Sequence, residues 1–373
     1  LPSERTDEAW FANPVGAIVL LSVDGEVLAA ASAPSKKGTA IPGRDREREF
    51  VRERTLTRPT FNPPGSVFKP FVASFALDKL GFDTNQRFRC VPLKAGDRSG
   101  GYGDLHCAGI HGECDLTRAL TVSCNCFFAH VGECYTTEEL LEMAHTFGFG
   151  EPTGIRTFGS SGRSGLREDW RLPLGDAWRK AVDAPSGKRR FANGLSFVEA
   201  TPMQLARAMA GLATGFLPDV RIARKVDGVP VPRQGRELPI SADALAFVRS
   251  AMERVVDDRE GSAHIDGLQA QTLGFTVAAK TGSADYAAIR KGFEASELEM
   301  ALASEGRVRK HTWVAGFFPA DHPRAVFVVY LHDLLYTSTH TAVYVTAQFL
   351  GQEAVKAWLA RTIEAERRAE EAR

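Results

Sequence analysis

This 373-residue sequence lacks a net charge, because 46 basic residues balance 46 acidic ones. That excludes the molecule-wide field that draws proteins to nucleic acid or to an anionic surface. It also lacks any apolar run of the about 18 residues that a membrane-spanning helix requires. Its opening, LPSERTDEAW, is too polar for a secretory leader. Cysteine is missing outside residues 90–134, where all six lie. A disulfide framework spread over the chain is thereby excluded, and one local feature is implied. No internal repeat or clean linker divides the chain. What is present is a 44% hydrophobic composition, ample for a large core.

Residues 16–32 (GAIVLLSVDGEVLAAAS) set two apolar runs around Asp24-Gly25, which predicts a hairpin with a type I′ turn. The polar stretch 38–62, with its charge run RDREREFVRER, reads as a surface connection. In NPPGSVFKPFVASFALDKLGF, Phe68, Phe71, Val72 and Phe75 recur at helical spacing, Pro70 falls in the first turn, and Gly81 supplies a stop. Residues 116–150 read as two short helices broken around Ser123. Residues 155–196, rich in Gly, Ser, Pro and Arg, read as one long irregular segment. Further helices are predicted from Thr201-Pro202 and over 241–256, with Ser241 as N-cap. Runs 271–279, 311–318 and 325–331 predict strands, the last two joined as a hairpin through PADHPR. Residues 341–373 predict a helix with Val355, Trp358, Leu359 and Ile363 on one stripe and a charged tail that frays. Strands toward both ends with helices between them indicate an α+β single domain.

Three short motifs occur in order: Ser66-Val67-Phe68-Lys69, Ser123-Cys124-Asn125 and Lys280-Thr281-Gly282-Ser283. Each alone is common. Together they are the S-x-x-K, S-x-N and K-T-G set of acyl-serine enzymes. On a helix, positions i and i+3 share a face, so Lys69 falls beside Ser66. A serine hydroxyl attacks only when a neighbouring base takes its proton. A lysine serves as that base once burial and a second cation, here Lys280, lower its pKa. Ser66 opens its helix, where free backbone N–H groups can hold an oxyanion. Ser123 reads as a proton relay and Asn125 as a substrate-positioning amide. Gly282 would let a substrate backbone approach an edge strand.

The stretches PGSVFKPFVASFALD, HGECDLTRALTVSCNCFFAHVGE, HTFGFGEPTGI, EATPMQLARAMAGLA and HTWVAGFFPA each resemble matching segments of class B penicillin-binding proteins. The resemblance implies the serine penicilloyl-transferase fold: an antiparallel sheet flanked by helices, with an all-helical subdomain carrying the S-x-N loop. The helical part would span about 67–200, and the sheet-containing part 14–66 and 201–373. It implies an elongation-type peptidoglycan D,D-transpeptidase, acting in cell-wall synthesis and cell shape. Ser66 would attack the D-Ala–D-Ala bond of a stem peptide, and an amine of a neighbouring stem peptide would resolve the acyl-enzyme. Backbone N–H groups of Ser66 and Ser283 would form the oxyanion hole, Thr281 and Ser283 would bind the substrate carboxylate, and β-lactams would acylate Ser66. No cofactor serves catalysis in this scheme.

The same resemblance implies a membrane anchor and a pedestal domain ahead of Leu1, which are missing from this sequence. Through those parts the site would work on the extracytoplasmic (periplasmic) face, with a SEDS-type glycosyltransferase as partner. Two departures stand out: residues 156–195 match the family poorly, and Asn193-Gly194 replaces its Gly-Gln-Gly. Alternatives are a D,D-carboxypeptidase, a serine β-lactamase, and an idle penicillin-binding sensor or scaffold. No recognisable loop supplies the deacylation glutamate of a class A β-lactamase, and retention of every catalytic side chain disfavours an idle module.

The cysteines admit several readings. Cys90, Cys107, His111 and Cys124 follow the pattern C-x16-C-x3-H-x12-C, a donor set for a closed structural zinc site. Some elongation-type relatives carry metal-ligand residues in this region, and Cys124 is the middle residue of the S-x-N motif. A zinc ion there would anchor the loop that carries Ser123 and Asn125. Disulfides, the default of an exported domain, and free buried thiols are the alternatives. His106 is a substitute ligand, Cys126 reads as core, Cys114 and Cys134 are unassigned, and His130 and His145 read as ordinary helix histidines.

Overall fold

Apolar or aromatic residues at every position of 17–21 (AIVLL) and 325–331 (AVFVVYL) suit strands covered on both faces. The computed structural model describes residues 16–33, 55–56, 63–155, 168, 171–172, 175–285, 309–335 and 341–372. Strand β1 (Gly16–Ser22) pairs antiparallel with β2 (Val27–Ala33). The sheet is completed by β11 (Ala278–Asp285), β12 (Arg309–Phe318) and β13 (Ala325–Leu335), in the order β11-β12-β13-β1-β2, all antiparallel. Alternate side chains enter two cores. Val19, Leu21, Val326 and Val328 join one core with helices of the middle of the chain; Leu20, Phe327 and Val329 join the other with the C-terminal helices.

A 3-10 turn (Gly65–Phe68) leads into α1 (Lys69–Lys79), stopped at Leu80 and Gly81, whose φ is +61°. Two small pairings follow: β3 (Phe88–Cys90) with β6 (Gly112–Cys114), and β4 (Gly101–Tyr102) with β5 (Leu105–His106). Then come α2 (Leu116–Thr121), α3 (Asn125–Glu133) and α4 (Thr137–Thr146), the last opened by a Thr136/Glu139 capping box. Helices α5 (Asp176–Asp183) and α6 (Pro185–Ala192) precede α7 (Pro202–Thr214), which lies on β1 and β13. Strands β7 (Phe216–Pro218) and β10 (Gly235–Glu237) bracket the β8–β9 hairpin (Lys225–Val226, Val229–Pro230). Helix α8 (Ala242–Asp257), a short α9 (Ala270–Leu273), α10 (Ala342–Leu350) and α11 (Glu353–Glu371) complete the chain. An antiparallel sheet flanked by helices is the fold the resemblance implies.

Several local expectations change. The Asp24-Gly25 turn is not type I′, because only Gly25 is left-handed (φ +91°). Arg221 binds the carbonyl and carboxylate of Asp24, and a Cβ on Gly25 would lie 2.4 Å from Asp219 O, so tertiary contacts shape this loop. Most of 38–62 lies outside the described residues. Thr55 and Leu56, however, are buried, and Met203 N–H donates to Thr55 O. The stretch read as irregular contains α5 and α6, whose few apolar residues, Trp178, Val182 and Phe191, all turn inward. The run 271–279 is mostly helix and turn before β11 begins at Ala278. At the C-terminus the helix breaks at Gly351-Gln352, stays helical to Glu371, and leaves Ile363 46% exposed.

Candidate active site

The three motifs converge on a cleft of about 280 Å³ lined by Ser66, Ser123, Asn125, Thr281, Gly282 and Ser283. Ser66 sits in the 3-10 turn ahead of α1, and β11 forms the edge of the sheet beside it. The two approach very closely. A Cβ on Gly282 would lie 2.6 Å from Pro64 O, and one on Gly65 would lie 2.6 Å from Ser283 O. Gly282 therefore admits the turn that bears Ser66. Gly65 N–H donates to Gly194 O at 2.8 Å, so the Asn193-Gly194 pair buttresses the same turn.

Lys69 and Lys280 lie beneath the cleft, both fully buried. Lys69 Nζ donates to Asn125 Oδ1 at 2.7 Å and Ser123 O at 2.9 Å, with Ser123 Oγ at 3.5 Å. Among the described residues it makes no bond to Ser66 Oγ, although both share the first turn; such contacts often tighten only with substrate. Burial pushes the Lys69 amine down to about 8. Burial, reinforced by the charge of Lys69, holds Lys280 well below the ordinary lysine range. Lys280 Nζ donates to Thr281 O at 3.1 Å.

The S-x-N segment is a sharp corner between α2 and α3. Ser123 adopts φ +59°, a left-handed conformation that costs a non-glycine residue energy. Cys124 caps α3, its sulfur accepting from Phe127 N–H. Asn125 is fixed from outside the helix: its N–H donates to Cys107 Sγ at 3.0 Å and its Nδ2 to His106 O at 2.7 Å. Asn193 Nδ2 donates to Asn125 O at 3.3 Å.

Beside this corner the donor atoms of Cys90, Cys107, His111 and Cys124 all lie within 4.8 Å of one another. The Cys107 and Cys124 sulfurs are 3.7 Å apart, and Cys90 Sγ is 3.5 Å from His111 Nδ1. Tetrahedral zinc, with bonds of about 2.3 Å to sulfur and about 2.0 Å to nitrogen, has S–S edges of about 3.8 Å and S–N edges of about 3.5 Å. The donor set and its spacing fit that ion. None of the six cysteines is in a disulfide. His106 contributes only its carbonyl oxygen to this region, Cys126 Sγ is 3.5 Å from Cys107 Sγ, and Cys114 is buried while Cys134 is exposed. His130 stacks between Phe88 and Tyr102, as an ordinary helix histidine would.

Several cleft residues escaped the sequence reading, among them Lys310, Thr312 and Ser262. Ser262, in the loop after α8, lines the cleft and holds Thr281 Oγ1 at 2.6 Å from its own hydroxyl. It belongs to no motif, and only the fold brings it there.

Residues 16–351 match the family model for the penicillin binding protein transpeptidase domain. A probable peptidoglycan D,D-transpeptidase PenA of Neisseria meningitidis is 28% identical over 323 residues, covering 85% of this chain and 47% of that protein. Peptidoglycan D,D-transpeptidase MrdA of Escherichia coli is 27% identical over 283 residues, covering 73% of this chain and 42% of that protein. The chain thus spans about half the length of these curated relatives. In fold it is similar to Pseudomonas aeruginosa PBP2 in complex with WCK 5153, with TM-score 0.67, 22% identity, and coverage of 93% of this chain and 75% of that one. It is also similar to PBP2 in a complex with MreC from Helicobacter pylori, with TM-score 0.62, 22% identity, and coverage of 87% and 57%. On a match whose span, residues 16–351, includes the sheet and every motif of the cleft, the chain belongs to the penicillin-binding protein transpeptidase domain family.

Proposed function

We propose that this chain cross-links peptidoglycan stem peptides through an acyl-Ser66 intermediate and is acylated by β-lactams at the same serine. The observation that carries the reading is Lys69: fully buried, pushed to about 8, and hydrogen-bonded to both polar residues of the S-x-N motif. Burial thus makes the neutral amine more accessible near neutral pH than in an ordinary, solvated lysine. A neutral amine has two N–H donors, which Ser123 O and Asn125 Oδ1 accept. Its lone pair is then left for the proton of Ser66.

Ser66 Oγ attacks the carbonyl carbon of the penultimate D-Ala while Lys69 takes its proton. The oxyanion is held by N–H groups of Ser66 and Ser283. As the C–N bond breaks, the Ser123 hydroxyl relays a proton to the departing D-Ala amine. Lys280, buried close enough to feel the charge of Lys69, takes part in the proton relay through Ser123, Asn125 orients the peptide, and Thr281 and Ser283 bind the terminal carboxylate. The acceptor amine of a second stem peptide then attacks the ester and regenerates Ser66.

Cys90, Cys107, His111 and Cys124 hold a structural zinc ion in this reading. Bound there, it would fix the corner that carries the catalytic residues, since Cys124 stands between Ser123 and Asn125. The reading also places the domain at the extracytoplasmic face, with a SEDS-type glycosyltransferase as partner of the whole protein. Intact-mass measurement with benzylpenicillin tests the core of it. One penicilloyl adduct on the denatured wild type and none on Ser66→Ala is expected, with one zinc ion under native conditions. Rapid turnover without a lasting adduct would instead identify a β-lactamase, and no acylation at all would favour a sensor or scaffold.

A further inference from the structure

Ser262 is held in place with unusual firmness for an exposed loop residue. Its N–H donates to Thr121 O at 3.1 Å, two residues ahead of Ser123. The next residue, Ala263, is buried and donates its N–H to Val255 O at 3.0 Å. The preceding Gly261 has no room for a side chain, since a Cβ would lie 2.3 Å from Val255 O. Glu260, one residue further back, is forked by the guanidinium of Arg118 on α2. The loop is thus fastened to the helix before the S-x-N corner, while its serine hydroxyl reaches Thr281 of the K-T-G strand at 2.6 Å.

A hydroxyl has one proton to give and two lone pairs. In the Ser262–Thr281 pair one proton lies between the oxygens, and its direction decides what Thr281 can offer the cleft. If Thr281 donates to Ser262, it has no proton for a ligand. If Ser262 donates to Thr281, the Thr281 proton is free to meet an anion, and the chain Ser262 O–H→Thr281 O–H→carboxylate is mutually polarised. An arriving carboxylate selects the second arrangement.

We propose that Ser262 is a positioning residue for carboxylate recognition: it donates to Thr281 so that Thr281 donates to the terminal carboxylate of the donor peptide or β-lactam. This inference rests on the acyl-serine reading above. Its consequence is selectivity for charge, which a merely structural serine would not confer.

The test measures second-order acylation rate constants for wild type, Ser262→Ala and Ser262→Thr with benzylpenicillin and with its uncharged methyl ester. Ser262→Ala is expected to lose about tenfold against the acid and little against the ester, and Ser262→Thr to restore the preference. On a Thr281→Val background, Ser262→Ala should have no further effect, because the relay is already cut. Equal losses on acid and ester, no loss on the acid, or an undiminished Ser262→Ala effect beside Thr281→Val would overturn the role of Ser262 while leaving acylation intact. A wild type acylated by neither compound would overturn the acyl-serine reading and this proposal together.

Discussion

The five-stranded sheet and the segment from Cys90 to Glu133 supply opposite walls of one cleft, yet they are stabilised by different means. The sheet pairs β1 with β13 over Gly16–Ser22 without a register shift and buries side chains on both faces. Each such aliphatic side chain contributes about 1.5–3 kcal/mol by leaving water. The other wall is made of strands of two or three residues and helices of six and nine. Pieces that short have no independent stability. They are fastened chemically: by the thiol–imidazole cluster, by Arg189 and Arg190 on Asp104, and by Arg118 on Glu260. One wall is held by packing alone; the other adds attachments to a packed face that buries Leu116, Leu120, Phe127, Phe128 and Val131.

That contrast can be broken or sharpened by experiment. The largest effect belongs to the point where the walls meet. Ser66→Ala should reduce acylation by about 10⁴-fold or more without moving the thermal transition, read by mass spectrometry and calorimetry. Next, chelation or Cys124→Ser should release the proposed zinc ion and raise hydrogen exchange across residues 88–133 while the sheet stays protected. Acylation should fall by about 10²-fold as Ser123 and Asn125 lose their place. Loss of sheet protection in parallel would mean that the walls are not independent.

A smaller effect is expected from pH. Below about 8 the acylation rate constant should rise tenfold per pH unit, as neutral Lys69 becomes more abundant, and it should level off above. A flat profile from pH 6 to 9 would remove Lys69 as base. The smallest functional effect should come from the sheet. Val329→Ala should cost about 1–3 kcal/mol in global stability, read by denaturant melts, and leave zinc content and acylation unchanged at low temperature.

The same contrast explains what could be read from the sequence. The hairpins, the buried strands, the helices at 69–79, 202–214 and 242–257, and the three motifs follow from local periodicity, caps and known chemistry. The cysteine pattern named four donors that the fold does bring together. Helices α5 and α6 were not legible, since their apolar residues are too sparse for a periodic signal and Phe191 and Trp178 matter only once neighbours surround them. Ser262 was invisible because its partner Thr281 is distant in sequence. The bond network of Lys69 was also unexpected: three residues from Ser66, it spends its donors on Ser123 and Asn125.

The close approach of Gly282 to Pro64 and Val67 has a further consequence for inhibitors. Missing side chains at Gly65 and Gly282 have already brought backbone to backbone, so no clearance remains between the nucleophile turn and the K-T-G strand. This jaw of the cleft cannot open to admit a bulky substituent. Room for it must come from the rest of the lining, where Ala108, Leu195, Thr312 and Val343 border the cleft. How large a side chain the cleft tolerates is then decided on those sides, one of which is fastened through Cys107, next to Ala108.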